Sequence, residues 1–350
     1  MRFPRRRLQL GLIVLAAVLI GLLVAEGLTR TFGWAPTVYR LRAAEEKSAY
    51  RFSSNPVLGY LLKANYRDDD DPDLQNSFPR TNAHGFRDRE RTLAKPAGVK
   101  RILMVGDSVV VGHGIRDLND TISRKLEVIL SPHQVEVINL AVGGYCTASE
   151  VELLATRGLS YSPDLVIILF TENDYLDRNT LMCLASSERP RWAEALFVHS
   201  HLFRRLALTT ELFEFREATE YESFVQRHRN SIERNNVVGA LERLVALSRS
   251  KGFAVLIAVW PSFVDGEIAD RHTLADQPDV LFVELVSKDY GLPCIRLSPW
   301  FRQDQLRRGG DPEALYTIGD GMHPSPLGAE IGARAIAAIL ESEPRFIFGR

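Results

Sequence analysis

The run Leu165-Val-Ile-Ile-Leu-Phe170 is apolar at every position. A strand with no polar face must be covered on both sides, which places it inside a parallel sheet with helices above and below. Other segments fit the same sheet. Arg101-Ile-Leu-Met-Val105 is a short apolar run ending at Gly106-Asp107, and Val135 to Leu140 reads as another strand. Phe253 to Val259 and a short stretch from Pro293 to Leu297 supply two more. Between them lie segments of helical spacing: Asp120 to Leu130 with Ile122, Leu126 and Ile129 on one face, Ser149 to Leu159, and Asp279 to Tyr290. A last helix is expected from about Pro326 to Leu340. Strands alternating with helices predict an α/β fold, a three-layer doubly wound parallel sheet with right-handed crossovers. Sites in such sheets form at the carboxyl ends of the strands. The residues just after Val105, Leu140, Phe170 and Val259, with the loop before the last helix, are therefore expected to converge.

The N-terminus carries a different signal. Arg2, Arg5, Arg6 and Arg7 precede a stretch from Leu8 to Ala25 that is apolar except for Gln9. As a helix it spans about 27 Å, close to the hydrocarbon thickness of a bilayer. The arginines keep the N-terminus cytoplasmic and send the remainder across. A cleavable signal peptide is the rival, with Ala25-Glu26-Gly27 as its cleavage site, but the apolar stretch exceeds the usual h-region. We read residues 1–30 as a basic tail and uncleaved transmembrane signal anchor, and the body as extracytoplasmic, periplasmic or extracellular.

Residues 31–99 show no clear period and hold Pro36, Pro56, Pro72, Pro79 and Pro96, so they read as a lead-in segment. Their Asp68–Asp71 run lacks EF-hand spacing and reads as a solvated loop. Residues 100–342 form the main domain, with an insertion at about 175–250 that is long for a crossover. Phe197, Leu202, Phe203, Leu206 and Leu208 suggest an amphipathic helix there, extended in apolar content by Leu212, Phe213 and Phe215. A lid, a substrate wall and a membrane-resting surface are its possible roles beyond packing. The formal net charge of −1 gives no global field for nucleic acid or an anionic membrane, and no nucleic-acid partner is expected. Of the 3 cysteines, Cys146 and Cys183 are the candidate disulfide, while Cys146, Cys183 and Cys294 as small buried side chains is the preferred reading.

Chemistry-bearing residues fall at the expected edge. Gly106-Asp107-Ser108-Val109 follows the first strand, so Ser108 is either a helix cap or an exposed nucleophile. Asn139-Leu-Ala-Val-Gly143-Gly144 follows the second, where glycines let backbone N–H groups approach a ligand. Thr171-Glu172-Asn173-Asp174 follows the third and brings the Asn173 amide. Asp320-Gly-Met-His323 precedes Pro324-Ser325-Pro326, a helix start with Ser325 as N-cap. A carboxylate three residues from a histidine can hold Nδ1–H and leave Nε2 to deprotonate a serine. A structural Asp–His bond is the other reading of that pair. His113, between Gly112 and Gly114, competes with His323 for the role of base. Asp107 as a phosphoryl acceptor fails for want of a second aspartate two residues on and of a Walker lysine. His199-Ser-His201 as metal ligands fails for want of acids in register.

These blocks, in this order, resemble the SGNH hydrolase family, the GDSL-type esterases and lipases. The resemblance spans roughly residues 100–342, with Asn82-Ala-His-Gly85-Phe-Arg87 similar to a lead-in of extracytoplasmic members. It implies a flavodoxin-like SGNH fold and a serine esterase. Ser108 would be the nucleophile, with His323 and Asp320 completing the triad and Ser108, Gly144 and Asn173 forming the oxyanion hole. It implies no cofactor and no metal. The substrate would be an ester, an O-acylated envelope glycan among the candidates. Thr171 departs from the family's usual glycine there and bears on the tightness of that loop. A polysaccharide O-acetyltransferase with the same triad, a lipid esterase, and a non-catalytic glycan-binding or scaffold protein are the alternatives. Oligomeric state is not legible.

Overall fold

The computed structural model describes residues 4–32, 34–35, 49–53, 55, 57–58, 60–67, 80–175, 190–210, 212–214, 237–271, 273–274, 277, 279–343 and 346. Asp68–Asp71, Cys183 and Phe215 lie outside them, and with them the candidate disulfide. The chain opens with α1 (Pro4–Thr31) and a hairpin of β1 (Tyr50–Phe52) and β2 (Tyr60–Leu62). Then come β3 (Lys100–Gly106), α2 (Ser108–Val111), α3 (Ile122–Ile129), β4 (Val135–Ala141), α4 (Thr147–Thr156) and β5 (Leu165–Phe170). The insertion contributes α5 (Arg191–His199), α6 (His201–Thr210) and α7 (Val237–Lys251). After β6 (Ala254–Val259) a second hairpin, β7 (Ser262–Val264) and β8 (Glu267–Ala269), leads to α8 (Phe282–Asp289) and β9 (Cys294–Arg296). The chain ends with α9 (Ser298–Arg308), α10 (Pro312–Tyr316) and α11 (Pro326–Ser342).

The five-stranded sheet has the order β4-β3-β5-β6-β9 and is parallel throughout, with Val105 opposite both Leu140 and Ile168. Leu165–Phe170 is buried along its whole length, as a strand without a polar face requires. On one side α3 packs against α11; on the other α4 packs against α7. The chain steps outward from β3 to β4, then returns to the other flank of β3 with β5. That reversal opens a crevice at the carboxyl ends of these strands. The amphipathic segment of the insertion differs from expectation. It breaks at Ser200 into α5 and α6, whose backbone turns there through an extended residue.

Residues 80–99 contain no helix or strand of length, yet they are bound tightly to the sheet by buried arginines. Arg101 donates to Glu136 at 2.7 Å and to the carbonyls of Thr92, Leu93 and Tyr161 at 2.8, 2.8 and 2.9 Å. Arg91 bridges Asp88 at 2.9 Å and Glu127 at 2.7 Å, and donates to the Val137 carbonyl at 2.7 Å. Asp88 in turn accepts from the Asn139 N–H at 3.2 Å, which satisfies a backbone donor of edge strand β4. Buried charges are tolerable here because every strong donor has an acceptor.

Among the described residues α1 contains one segment, Gly11–Thr31, long and apolar enough to cross a membrane, with none of its most apolar stretch buried. Replacing Arg101 by Met would leave Glu136 and the carbonyls of Thr92, Leu93 and Tyr161 without their donor. Urea unfolding should show a loss of about 3–5 kcal/mol, the usual cost of breaking a buried ion pair. A loss below about 1 kcal/mol would mean that water reaches these groups.

Candidate active site

Strand β3 delivers its last residues into a tight turn. Asp107 caps α2, its Oδ1 accepting from the Val109 N–H at 2.9 Å, so Ser108 is the first residue of that helix. At the other end of the fold, Thr317 and Pro324 form a bridge that closes the loop before α11. The Trp260 indole donates to the Met322 carbonyl at 2.9 Å and the Phe263 N–H to the Gly321 carbonyl at 2.8 Å, which pins this loop over the sheet edge. Ser325 caps α11 by accepting from the Gly328 N–H at 3.1 Å, with Pro326 at the first helical position.

These two loops meet. His323 Nε2 lies 2.8 Å from Ser108 Oγ, and Nδ1 lies 2.6 Å from Asp320 Oδ2. A carboxylate can only accept, so Nδ1 carries the hydrogen and Nε2 presents a lone pair to the serine hydroxyl. Asp320 Oδ1 also accepts from the N–H groups of Met322 and His323 at 3.1 and 2.9 Å. Partial burial alone would raise this carboxyl. The hydrogen bonds from the His323 ring and from the two backbone N–H groups outweigh it and bring the group down to about 2.

His113 occupies the rim. Its ring stands 4.6 Å from that of His323 at a tilt of 49°, while the Ser108 hydroxyl bonds His323. Burial pushes the His113 imidazole down, helped by His323 and Arg87 and opposed by Asp320.

The glycine turn lies beside the nucleophile loop. Tyr145 N–H bonds the Val142 carbonyl at 3.3 Å, and Gly144, at φ 78, takes the third position of the turn, which only glycine occupies without strain. A Cβ on Gly143 would lie 3.7 Å from Ser108 Cβ, and only 2.8 Å from the Tyr50 hydroxyl. The Tyr60 hydroxyl donates to the Gly143 carbonyl at 2.8 Å, so the β1–β2 hairpin buttresses this turn. Neither Gly144 nor Asn173 bonds directly to the Ser108–His323–Asp320 chain among the described residues. Asn173 joins the site through Thr171, whose hydroxyl bonds Asn173 Oδ1 and lies 3.2 Å from Asp107 Oδ2. Beneath it, burial and the proximity of Asp107 push the Asp174 carboxyl up, and burial with Asp174 and Asp107 pushes Glu150 up.

Sequence reasoning passed over Arg87. It is buried and donates to the carbonyls of Val111 at 3.1 Å, Gly112 and Ile115, the chain segment that ends α2. Its signal was present in Asn82-Ala-His-Gly85-Phe-Arg87. The Asn82 Oδ1 accepts from the N–H groups of His84 and Phe86, both at 3.0 Å, a turn made for aiming the next residue inward.

Residues 104–331 match the model of the GDSL-like lipase/acylhydrolase family. No curated protein matches the chain. Among solved structures, a lipase/acylhydrolase from Enterococcus faecalis is 15% identical, with 70% of this chain and 96% of that one covered at a TM-score of 0.41. An acetyl xylan esterase is 14% identical, with 69% and 99% covered at 0.40. A two-domain esterase active on acetylated mannans is 14% identical at 0.42; the match covers 70% of this chain and 50% of that longer one.

Two outcomes follow from the geometry. His323→Asn should lower kcat for an activated ester by about 10³–10⁴-fold, while His113→Asn should stay within about tenfold of wild type. The reverse ranking would make His113 the base. The second concerns stability. Asp320 is held below its unfolded value, so its contribution is complete above about pH 4 and lost as pH falls through about 2. Thermal melts of wild type and Asp320→Asn should differ near neutral pH and converge toward pH 2; a constant gap would exclude this linkage.

Proposed function

We propose, for a chain that belongs to the GDSL-like lipase/acylhydrolase family and so hydrolyses ester bonds, a mechanism built on Ser108, His323 and Asp320. The observation that carries the reading is the continuous hydrogen-bonded chain from Ser108 Oγ to His323, 2.8 Å, and on to Asp320, 2.6 Å. His323 removes the Ser108 proton as Oγ attacks the ester carbonyl, and Asp320 stabilises the imidazolium that forms. The N–H groups of Ser108 and Gly144 and the Asn173 amide hold the oxyanion. Losing one such donor typically costs about 3 kcal/mol of transition-state stabilisation. Imidazolium then protonates the departing alcohol. A water, deprotonated by the same histidine, releases the acid and restores the serine.

The substrate class we favour is an O-acylated glycan. A narrow recess at the ends of β5 and β6 is lined by Phe170, Val259, Tyr175 and Trp260 together with Thr171, Glu172, Ser262 and Arg271. Glu172 accepts from Ser262 at 3.0 Å and faces Arg271 at 3.7 Å. A hydroxylated alcohol could meet the charged and hydroxyl groups there, and an O-acylated glycan has that chemistry. We place this activity outside the cytoplasm, tethered by α1. The same residues would serve transfer of the acyl group to a glycan hydroxyl in place of water.

The test is hydrolysis of a short-chain aryl ester by wild type and by Ser108→Ala. The variant should lose about 10³-fold or more of the activity, and a serine-reactive phosphonate should label Ser108 alone. Equal rates, or a label elsewhere, would remove Ser108 as nucleophile. Incubation of an acylated oligosaccharide with and without a deacylated acceptor separates hydrolysis from transfer by product mass.

A further inference from the structure

The outer end of α1 is not a loose tether. Glu26 and Arg30 form an i,i+4 pair at 2.6 Å, and both reach the corner where α5 passes into α6. The Glu26 carboxylate accepts from the Ser200 hydroxyl at 2.8 Å and from the N–H groups of His201 and Leu202 at 2.9 and 2.8 Å. Arg30 Nη2 donates to the His199 carbonyl at 2.5 Å. The first N–H groups of one helix and the last carbonyls of another have no partners within their own helices. Here an anion meets the former and a cation the latter, each on the helix end of opposite partial charge. The corner itself is firm: Arg204, buried, donates to the Phe197 carbonyl at 3.0 Å, and Ser200 Oγ accepts from the Phe203 N–H at 3.0 Å.

Around this corner several large apolar side chains reach the surface. Trp192 and Leu196 of α5 and Leu206 of α6 are exposed, as are Phe32 and Trp34, which stack at 5.2 Å just past α1. Scattered exposed apolar side chains need no explanation. These adjoin the end of a span whose mean hydropathy is 2.5 and whose most apolar stretch is wholly uncovered by protein. Exposed tryptophans at the end of such a span match the residue preference of the membrane–water boundary.

We propose that the α5–α6 corner is a collar seated on the lipid bilayer: it clamps the end of α1 through Glu26 and Arg30 and lays Trp192, Leu196 and Leu206 into the headgroup boundary. The insertion then fixes the height and tilt of the crevice above the membrane. The proposal rests on the anchored reading given above. Ala25-Glu26-Gly27 lies within continuous helix, and cutting after Gly27 would sever Glu26 from Arg30 and split the clamp.

The experiment uses the full chain in phosphatidylcholine vesicles whose acyl chains are brominated near the headgroup. Emission from Trp192 is obtained by difference from Trp192→Phe. It should fall about twofold or more relative to unbrominated lipid, as for a ring at the interface. Glu26→Ala with Arg30→Ala should restore most of it, and Glu26→Gln, which keeps the side chain's shape, part of it; near-UV circular dichroism checks that each variant is folded. Unquenched Trp192 in a membrane-bound chain with an intact N-terminus overturns the collar and leaves the anchor standing. Quenching that both variants retain overturns the clamp. N-terminal sequencing separates the other failure: a chain beginning after Gly27 removes the anchored reading itself.

Discussion

The site depends on one buried cation. Helix α2 is only four residues long, too short to hold its own ends, and its closing carbonyls point into the protein. The Arg87 guanidinium fills that place, gathering the carbonyls of Val111, Gly112 and Ile115. Burial pulls its guanidinium down to about 10 against the pull of Asp117, so it remains charged under ordinary conditions. With Asp107 fixing one end of the turn and Arg87 the other, Ser108 is held by two ionic groups that come from outside its own helix. The histidine loop has an equivalent frame in Trp260 and Phe263.

Those frames show what kind of information a sequence exposes. The apolar runs that became β3, β5 and β6 were legible because burial on both faces leaves no polar residue to blur them. The start of α11 was legible because Ser325 and Pro326 act on their own backbone. The strand ends then gathered Ser108, Gly144, Asn173, Asp320 and His323 at one edge by the topology rule alone. Boundaries moved by a few residues, as fraying ends do.

What stayed hidden depends on partners far away in the chain. Residues 80–99 have no period because their order comes from Arg87, Arg91 and Arg101, not from a repeating face. Helices α9 and α10 carry few apolar positions in register, and the β1–β2 hairpin has three residues per strand, below what a period can reveal. Thr171 looked like a flaw in a glycine loop. Its hydroxyl lies between Asp107 and Asn173, a placement visible only once both strand ends are side by side. The break of one expected helix into α5 and α6 is of the same kind, since what steadies the corner is Glu26, far back in α1.

The hydrogen bond between Ser108 and His323 joins residues 215 positions apart. Its consequence lies in time. The hydroxyl emerges early in synthesis and has no imidazole beside it until the final loop has been made and α11 has locked it down. A chain stalled or truncated short of that loop carries a Ser108 without this partner. The bond therefore arrives last, when the two ends of the domain close on each other.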